Sequence, residues 1–243
     1  MNRVELKSVS EAIDGQGIKA CVYGFAGTGK TRLLATLPGK GLVASAEAGL
    51  LSLKDVPHTG HISVAVISTM DDLRTVYAML TKPDHGFGWV ALDSVSEIAE
   101  VLLSTEKKKE KDPRKAYGTL VEEMGVVLRA FRDLPAIDVY FSAKAEKVKE
   151  EDTGRVSVQI LVPGSKLGQQ IPYLFDEVFQ LVVVDVTDDK GRPTGESTRW
   201  LQTRKDSRCD CKDRSGKLDA FEPADLGAVF AKIRGNSAAQ KGA

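Results

Sequence analysis

The sequence predicts an α/β fold: a mostly parallel sheet flanked by helices, with an antiparallel C-terminal β extension. Three observations predict it. A short β-rich run, Ile18–Tyr23, enters a glycine-rich loop that leads into a helix-like segment. Apolar runs then alternate with stretches of helical spacing as far as Ser142. Beyond that point β-like runs follow one another with turns between them, the pattern of an antiparallel edge. The 243 residues suit one domain with a full core. That domain is expected at residues 18–235, after a lead segment at 1–17 and before a small, polar, disordered tail at 236–243.

Each element has its own signal. Ile18–Tyr23 stops at Gly24, and Thr31–Leu37 reads as a helix ended by Pro38-Gly39. Gly41–Ala46 and Ile62–Ile67 are the next apolar runs. Leu73, Val76, Tyr77 and Leu80 recur at helical spacing in Asp71–Leu80, and Asp71 can cap that helix. Trp89–Leu92 is a buried-type strand closed by Asp93. A long helix from Ser94 carries Val95, Ile98, Val101 and Leu102 and stops before Pro113. Another runs from Tyr117 to Asp133, with Leu120, Met124, Val127, Leu128 and Phe131 on one face. Ile137–Ser142 is the next strand. Val156–Val162, Val178–Val186 and Thr198–Thr203 follow, joined by Gly- and Asp-rich turns, and a last helix lies near Pro223–Ile233.

Composition removes several function classes. Thirty-four basic residues balance 34 acidic ones, so any polyanion site is a local patch and not a cationic coat. No apolar run is long enough to span a membrane. The start, Met1-Asn2-Arg3-Val4-Glu5-Leu6-Lys7, lacks the apolar stretch of a signal peptide. Three cysteines in a chain this long point to a reducing, cytoplasmic setting.

One motif outweighs the rest. Gly24-Phe25-Ala26-Gly27-Thr28-Gly29-Lys30-Thr31 fits G-x-x-x-x-G-K-[ST] without departure, between a β-like run and a helix-like one. Its glycines let consecutive backbone N–H groups converge on a polyphosphate, and the following helix aims its positive end at the same anion. Lys30 is placed to reach the β- and γ-phosphates, and the Thr31 hydroxyl to ligate Mg²⁺. Asp93, at the C-terminal end of Trp89-Val90-Ala91-Leu92, fits the second metal anchor. Glu47 lies just past Leu42-Val43-Ala44-Ser45-Ala46, where a carboxylate can take a proton from attacking water.

This order of phosphate loop, glutamate and strand-end aspartate resembles the RecA-like P-loop ATPases. More narrowly, the chain looks like the phage-encoded, core-only RecA-like proteins of the Sak type. The stretches that carry the likeness are Val22–Thr31, Tyr140–Lys144, Leu161–Lys166 and Cys211–Gly216. The resemblance implies an ATP- and Mg²⁺-dependent ATPase that binds single-stranded DNA. It further implies recombination or strand annealing as a homo-oligomer, ring or filament, in the host cytoplasm, with a single-strand-binding protein as a further partner. It makes Glu47 the catalytic base. It places a γ-phosphate sensor at the end of Val139-Tyr140-Phe141-Ser142, where this sequence offers Lys144 in place of the usual Gln. Lys212-Asp213-Arg214 resembles the Lys-x-Arg that related helicases insert into a neighbour's nucleotide site, which assigns Lys212 and Arg214 a catalytic part in trans.

In such assemblies, the loops after the helix that follows Asp93 and after the sensor strand line the DNA channel. The first holds Lys107, Lys108, Lys109, Lys111, Arg114, Lys115 and Tyr117; the second holds Lys147 and Lys149. Cations there can displace counterions from phosphates, and Tyr117 can stack on an unpaired base. Two alternatives share the phosphate loop. One is a helicase motor or helicase loader. The other is a small-molecule kinase, with Arg199, Arg204, Arg208 and Arg214 as lid arginines. Cys209-x-Cys211 and His58-x-x-His61 have the spacing of no common zinc site and read as loop residues or buried thiols.

Overall fold

The computed structural model describes residues 6, 8–13, 15–46, 49–57, 59–110 and 112–236. Strand β1 (Lys19–Gly24) is buried from end to end, because both of its faces are covered. Cys21 and Tyr23 enter one apolar cluster, and Ala20 and Val22 the other, by the strand's period of two. Parallel to β1 lie β5 (Asp138–Lys149) on one side and β7 (Glu177–Thr187) on the other. Past β5 the parallel order continues through β4 (Trp89–Leu92), β2 (Gly41–Ser45) and β3 (Ile62–Val66).

Past β7 the sheet becomes antiparallel. β8 (Pro193–Gln202) pairs with β7, and β10 (Phe221–Pro223) with β8. The order is β10-β8-β7-β1-β5-β4-β2-β3, with β6 (Val156–Leu161) added on β5 and β9 (Lys212–Asp213) on β7. This is the mostly parallel α/β sheet with an antiparallel C-terminal extension that the sequence predicts.

A short helix α1 (Val9–Ile13) precedes β1. Helices α2 (Met70–Leu80), α3 (Val95–Lys109), α4 (Pro113–Arg132) and α5 (Ser165–Leu174) cover the Cys21–Tyr23 face. The 3₁₀ helix Thr31–Thr36 and α6 (Leu226–Ile233) cover the other. No helix among the described residues is long and apolar enough to cross a membrane.

Several expectations need correction. The segment after the phosphate loop is a 3₁₀ helix, not an α-helix. Helix α2 is capped by Thr69, whose hydroxyl accepts from Asp72 while the Asp72 carboxylate takes the Thr69 N–H, so Asp71 lies inside the first turn. Helix α4 starts at Pro113, four residues before Tyr117, because Asp112 caps it and proline is preorganised for a first turn. Strand β5 continues past Ser142 to Lys149 and pairs back with β6, so the expected second loop is a β-hairpin.

β8 begins at Pro193 rather than Thr198, and α6 at Leu226, behind an Asp225 cap, with Phe221–Pro223 in β10. Helix α5 stands between β6 and β7, where only turns were expected, and it contains Gly168 and Pro172, residue types that disfavour a helix interior. Gly168 is instead a close-approach position: a Cβ there would lie 2.8 Å from the Ile160 carbonyl oxygen of β6. The residues of the tail from 237 to 243 lie outside the described residues.

Candidate nucleotide site

β1 delivers the chain to its C-terminal end at Gly24, and the phosphate loop turns there. Gly27 has φ +74° and Gly29 φ +101°, left-handed values that L side chains rarely adopt, so the turn requires glycine at both positions. The Thr28 hydroxyl donates to the Phe25 carbonyl at 2.9 Å and closes the loop on itself. The Lys30 ammonium folds over it, donating to the carbonyls of Gly24 at 2.8 Å and Phe25 at 3.0 Å. The Tyr140 hydroxyl, from the neighbouring strand β5, holds the Lys30 carbonyl at 3.2 Å.

The two residues expected to anchor a metal meet across the sheet. Because β5 is inserted between β1 and β4, Asp93 at the end of β4 faces the loop across one strand. The Thr31 hydroxyl donates to one Asp93 carboxylate oxygen at 2.7 Å, and the Ser142 hydroxyl donates to the other. Asp93 is buried, and its own N–H is fixed to the Ala44 carbonyl of β2 at 3.0 Å. A hydroxyl and a carboxylate are hard oxygen donors, so this pair fits a magnesium ion. Residues 62 and 49 positions from Asp93 in sequence thus converge on one carboxylate.

Glu47 lies outside the described residues; β2, which precedes it, ends at Ser45 beside the Asp93 strand. Lys144 pairs in register with Gly24, but its ammonium turns to α3, where it bonds Glu97 and reaches Glu100 at 3.2 Å. Burial pulls that ammonium down, but its hydrogen bonds to the two carboxylates outweigh this and raise its pKa. Besides Tyr140, this strand end touches the site through Ser142, a small polar residue that interrupts the run of Val139, Tyr140 and Phe141. That interruption is the signal by which it can be found. Arg199 of β8, named above only as a lid arginine of the kinase alternative, is the other neighbour, its Nε donating to the Thr28 carbonyl at 3.0 Å.

Lys212 and Arg214 lie toward the opposite end of the strands, since β9 pairs Lys212 with Val178 and Asp213 with Glu177, abreast of Cys21 and Ala20. Lys212 donates to the Pro172 carbonyl at 2.8 Å, and Arg214 to Asp176 at 2.8 Å. Burial lowers the Lys212 ammonium, and Arg214 beside it acts in the same direction. The site that holds Lys30, Thr31 and Asp93 within one chain does not include these two.

The two basic segments sit differently. Lys147 and Lys149 are exposed on the β5–β6 hairpin, and the Lys147 ammonium stands 5.8 Å from the ring centroid of Phe25 in the phosphate loop. Lys107, Lys108 and Lys109 close α3, and Arg114 and Lys115 open α4, all exposed; Lys111 lies outside the described residues. The Lys107 ammonium lies 4.8 Å over the Tyr117 ring, which is 39% exposed, and Lys109 pairs with Glu106 at 2.7 Å.

Helix α4 ends beside the start of β1, where the Leu134 carbonyl takes the Lys19 ammonium, and its Val121 lies against Gly164, just past β6. The Ser96 hydroxyl bonds the Leu161 carbonyl at the same level. The basic turn between α3 and α4 therefore stands toward the phosphate-loop end of the strands.

The cysteines hold no metal cluster among the described residues. Cys209 and Cys211 are buried with their sulfurs 3.1 Å apart, and Cys21 is a core residue whose thiol burial pushes up to about 12. His58 lies outside the described residues.

Compared with known proteins, the chain is matched from residue 16 to residue 215 by the model of a family described as an AAA domain. No curated protein matches it.

Proposed function

The chain belongs to that AAA-domain family, of P-loop ATPases, and on that basis we propose that it is an ATP- and Mg²⁺-dependent, single-stranded-DNA-binding ATPase of the phage Sak type, promoting recombination or annealing as an oligomer. Lys30 holds the β- and γ-phosphates, and Thr31 and Asp93 hold the magnesium ion, which offsets phosphate charge when bound. Glu47 takes the proton of the attacking water. Lys212 and Arg214 complete a neighbour's site in trans.

The observation that carries the DNA-linked part of this reading is Lys147 over Phe25. A cation on a hairpin proposed to meet DNA touches the loop proposed to hold ATP. A DNA phosphate that draws Lys147 away changes what packs on the loop, which links strand binding to turnover. Exposed lysines of the α3–α4 turn, toward the same end of the strands, supply further phosphate contacts, each salt-sensitive.

The test is ADP release with and without single-stranded DNA, with no metabolite acceptor added. The reading expects stimulation of several-fold that Lys147→Ala together with Lys149→Ala removes. Turnover indifferent to DNA contradicts it. Strand displacement on a forked duplex would move the assignment to a helicase motor, and a strict need for a small acceptor would move it to a kinase.

A further inference from the structure

The β7–β8 hairpin carries a cation onto the phosphate loop from the chain's own antiparallel extension. Strand β7 leaves its pairing with β1 at Gln180, opposite Tyr23, and passes Gly24 at Leu181, whose carbonyl oxygen would lie 3.0 Å from a Cβ on that glycine. It then runs on past the end of β1 with β8 alongside, pairing Val183 with Arg199 and Leu181 with Leu201. Leu181 and Leu201 are buried in the cluster that also takes Leu33 and Leu34 of the helix after the loop. Arg199 lies two residues from Leu201, so it shares that face by the period of two.

The backbone of Arg199 is itself fixed, its carbonyl accepting from Ala224 at 3.2 Å. The side chain crosses to the loop, where Nε meets the Thr28 carbonyl at 3.0 Å and passes 3.3 Å from where a Gly29 Cβ would be. Any side chain at 29 would contest that space.

A guanidinium has five N–H donors in a fixed planar fork, and this contact takes one of them. No carboxylate among the described residues lies within ion-pair distance of Arg199, in contrast to Arg74, Arg132, Arg192, Arg214 and Arg234. The residue is exposed and stands beside the turn whose amides gather the phosphates. An arginine fork so placed is suited to phosphate oxygens.

The geometry points to Arg199 as a nucleotide-phosphate-binding residue supplied in cis, distinct from the charges proposed to arrive from a neighbouring subunit. It favours the triphosphate over the diphosphate, because an added terminal phosphate gives the remaining donors a partner. This deepens the ATPase reading and rests on it.

The experiment titrates a fluorescent ATP analogue and its ADP counterpart against wild type, Arg199→Ala and Arg199→Lys, with turnover and nucleotide-free melting measured alongside. Arg199→Ala is expected to weaken ATP about tenfold and ADP less than about twofold, with turnover lowered about tenfold or more and melting little changed. Arg199→Lys recovers part of the ATP affinity, and added guanidinium ion recovers part of the Arg199→Ala turnover. An Arg199→Ala chain that melts lower but keeps the wild-type ATP-to-ADP ratio and turnover makes Arg199 a mere strap and overturns the inference. A wild-type chain that holds neither nucleotide overturns the nucleotide site itself, and with it this inference; a wild type that binds both beside an indifferent variant overturns the inference alone.

Discussion

The two ends of the parallel strands both gather polar and charged side chains, and they use them in opposite ways. At the N-terminal end Lys19 is buried and donates to the carbonyls of Leu134 and Ile137, each at 2.7 Å. Burial lowers its pKa to about 8. Glu177 is 2% exposed, takes one backbone N–H from Ser215 at 3.3 Å, and leaves Oε2 with no partner among the described residues. Burial and the nearby Asp213 raise its pKa to about 8. Those groups close chain segments onto the sheet.

At the C-terminal end, Lys30, Thr31, Ser142 and Arg199 all bond either the phosphate loop or the one carboxylate beside it. The loop they surround has two glycines in left-handed backbone. The lesson is that burial of charge alone does not mark a site. Convergence of donors on a glycine turn is the stronger pointer.

The contrast can be broken or sharpened by exchange of single atoms. The largest effect is expected for Asp93→Asn, which keeps the shape and removes the charge. Turnover should fall roughly a hundredfold or more, with melting nearly unchanged. Unimpaired ATP hydrolysis would remove Asp93 from the site.

Glu177→Gln should do the reverse, leaving turnover alone and changing stability with pH. The folded pKa of Glu177 lies above its unfolded value of 4.5, so the folded state binds more protons between pH 4.5 and about 8. Stability from this group therefore declines as pH rises through that window, and Lys19, lowered to about 8, acts only above it. The unfolding free energy of Glu177→Gln should match wild type near pH 5 and exceed it at pH 8, by on the order of 2 kcal/mol. Parallel curves across that range would contradict the assignment.

Ser142→Ala should lower turnover about tenfold by releasing one Asp93 oxygen, at nearly constant ATP affinity. Threonine at the same position should restore part of the rate. Smallest of all, Lys212→Ala and Arg214→Ala should lower turnover a few-fold in assembled protein while nucleotide affinity holds. Unchanged rates in an assembled sample would return both residues to the structural end of the sheet, bonded to Pro172 and Asp176.

Much of the fold was legible because local signals and the sheet agree. Trp89–Leu92 is apolar on both faces and became a buried central strand, and the glycines and Lys30 of the loop announced the turn before any strand order was known. Helix α5 was not legible, because Gly168 and Pro172 look like breakers until β6 is seen pressing on the helix. The partners of Asp93 were half legible. Thr31 follows from the motif, whereas Ser142 depends on β5 being inserted between β1 and β4, a property of topology that no spacing encodes. Arg199 lies 171 residues from Thr28 and reaches it only because β7 and β8 run past the end of β1. Lys144 was the more conspicuous residue in its segment, and α3 offered it two carboxylates nearer than the loop.

The central claim, that the turn from Gly24 to Thr31 holds a nucleoside triphosphate beside magnesium, is tested most directly by equilibrium binding of a fluorescent ATP analogue to wild type and Lys30→Ala, with and without Mg²⁺. The account predicts saturable binding by wild type that Mg²⁺ strengthens and that Lys30→Ala weakens by roughly a hundredfold, at unchanged melting temperature. Equal binding by the two chains, or no binding by either at physiological Mg²⁺, would contradict it.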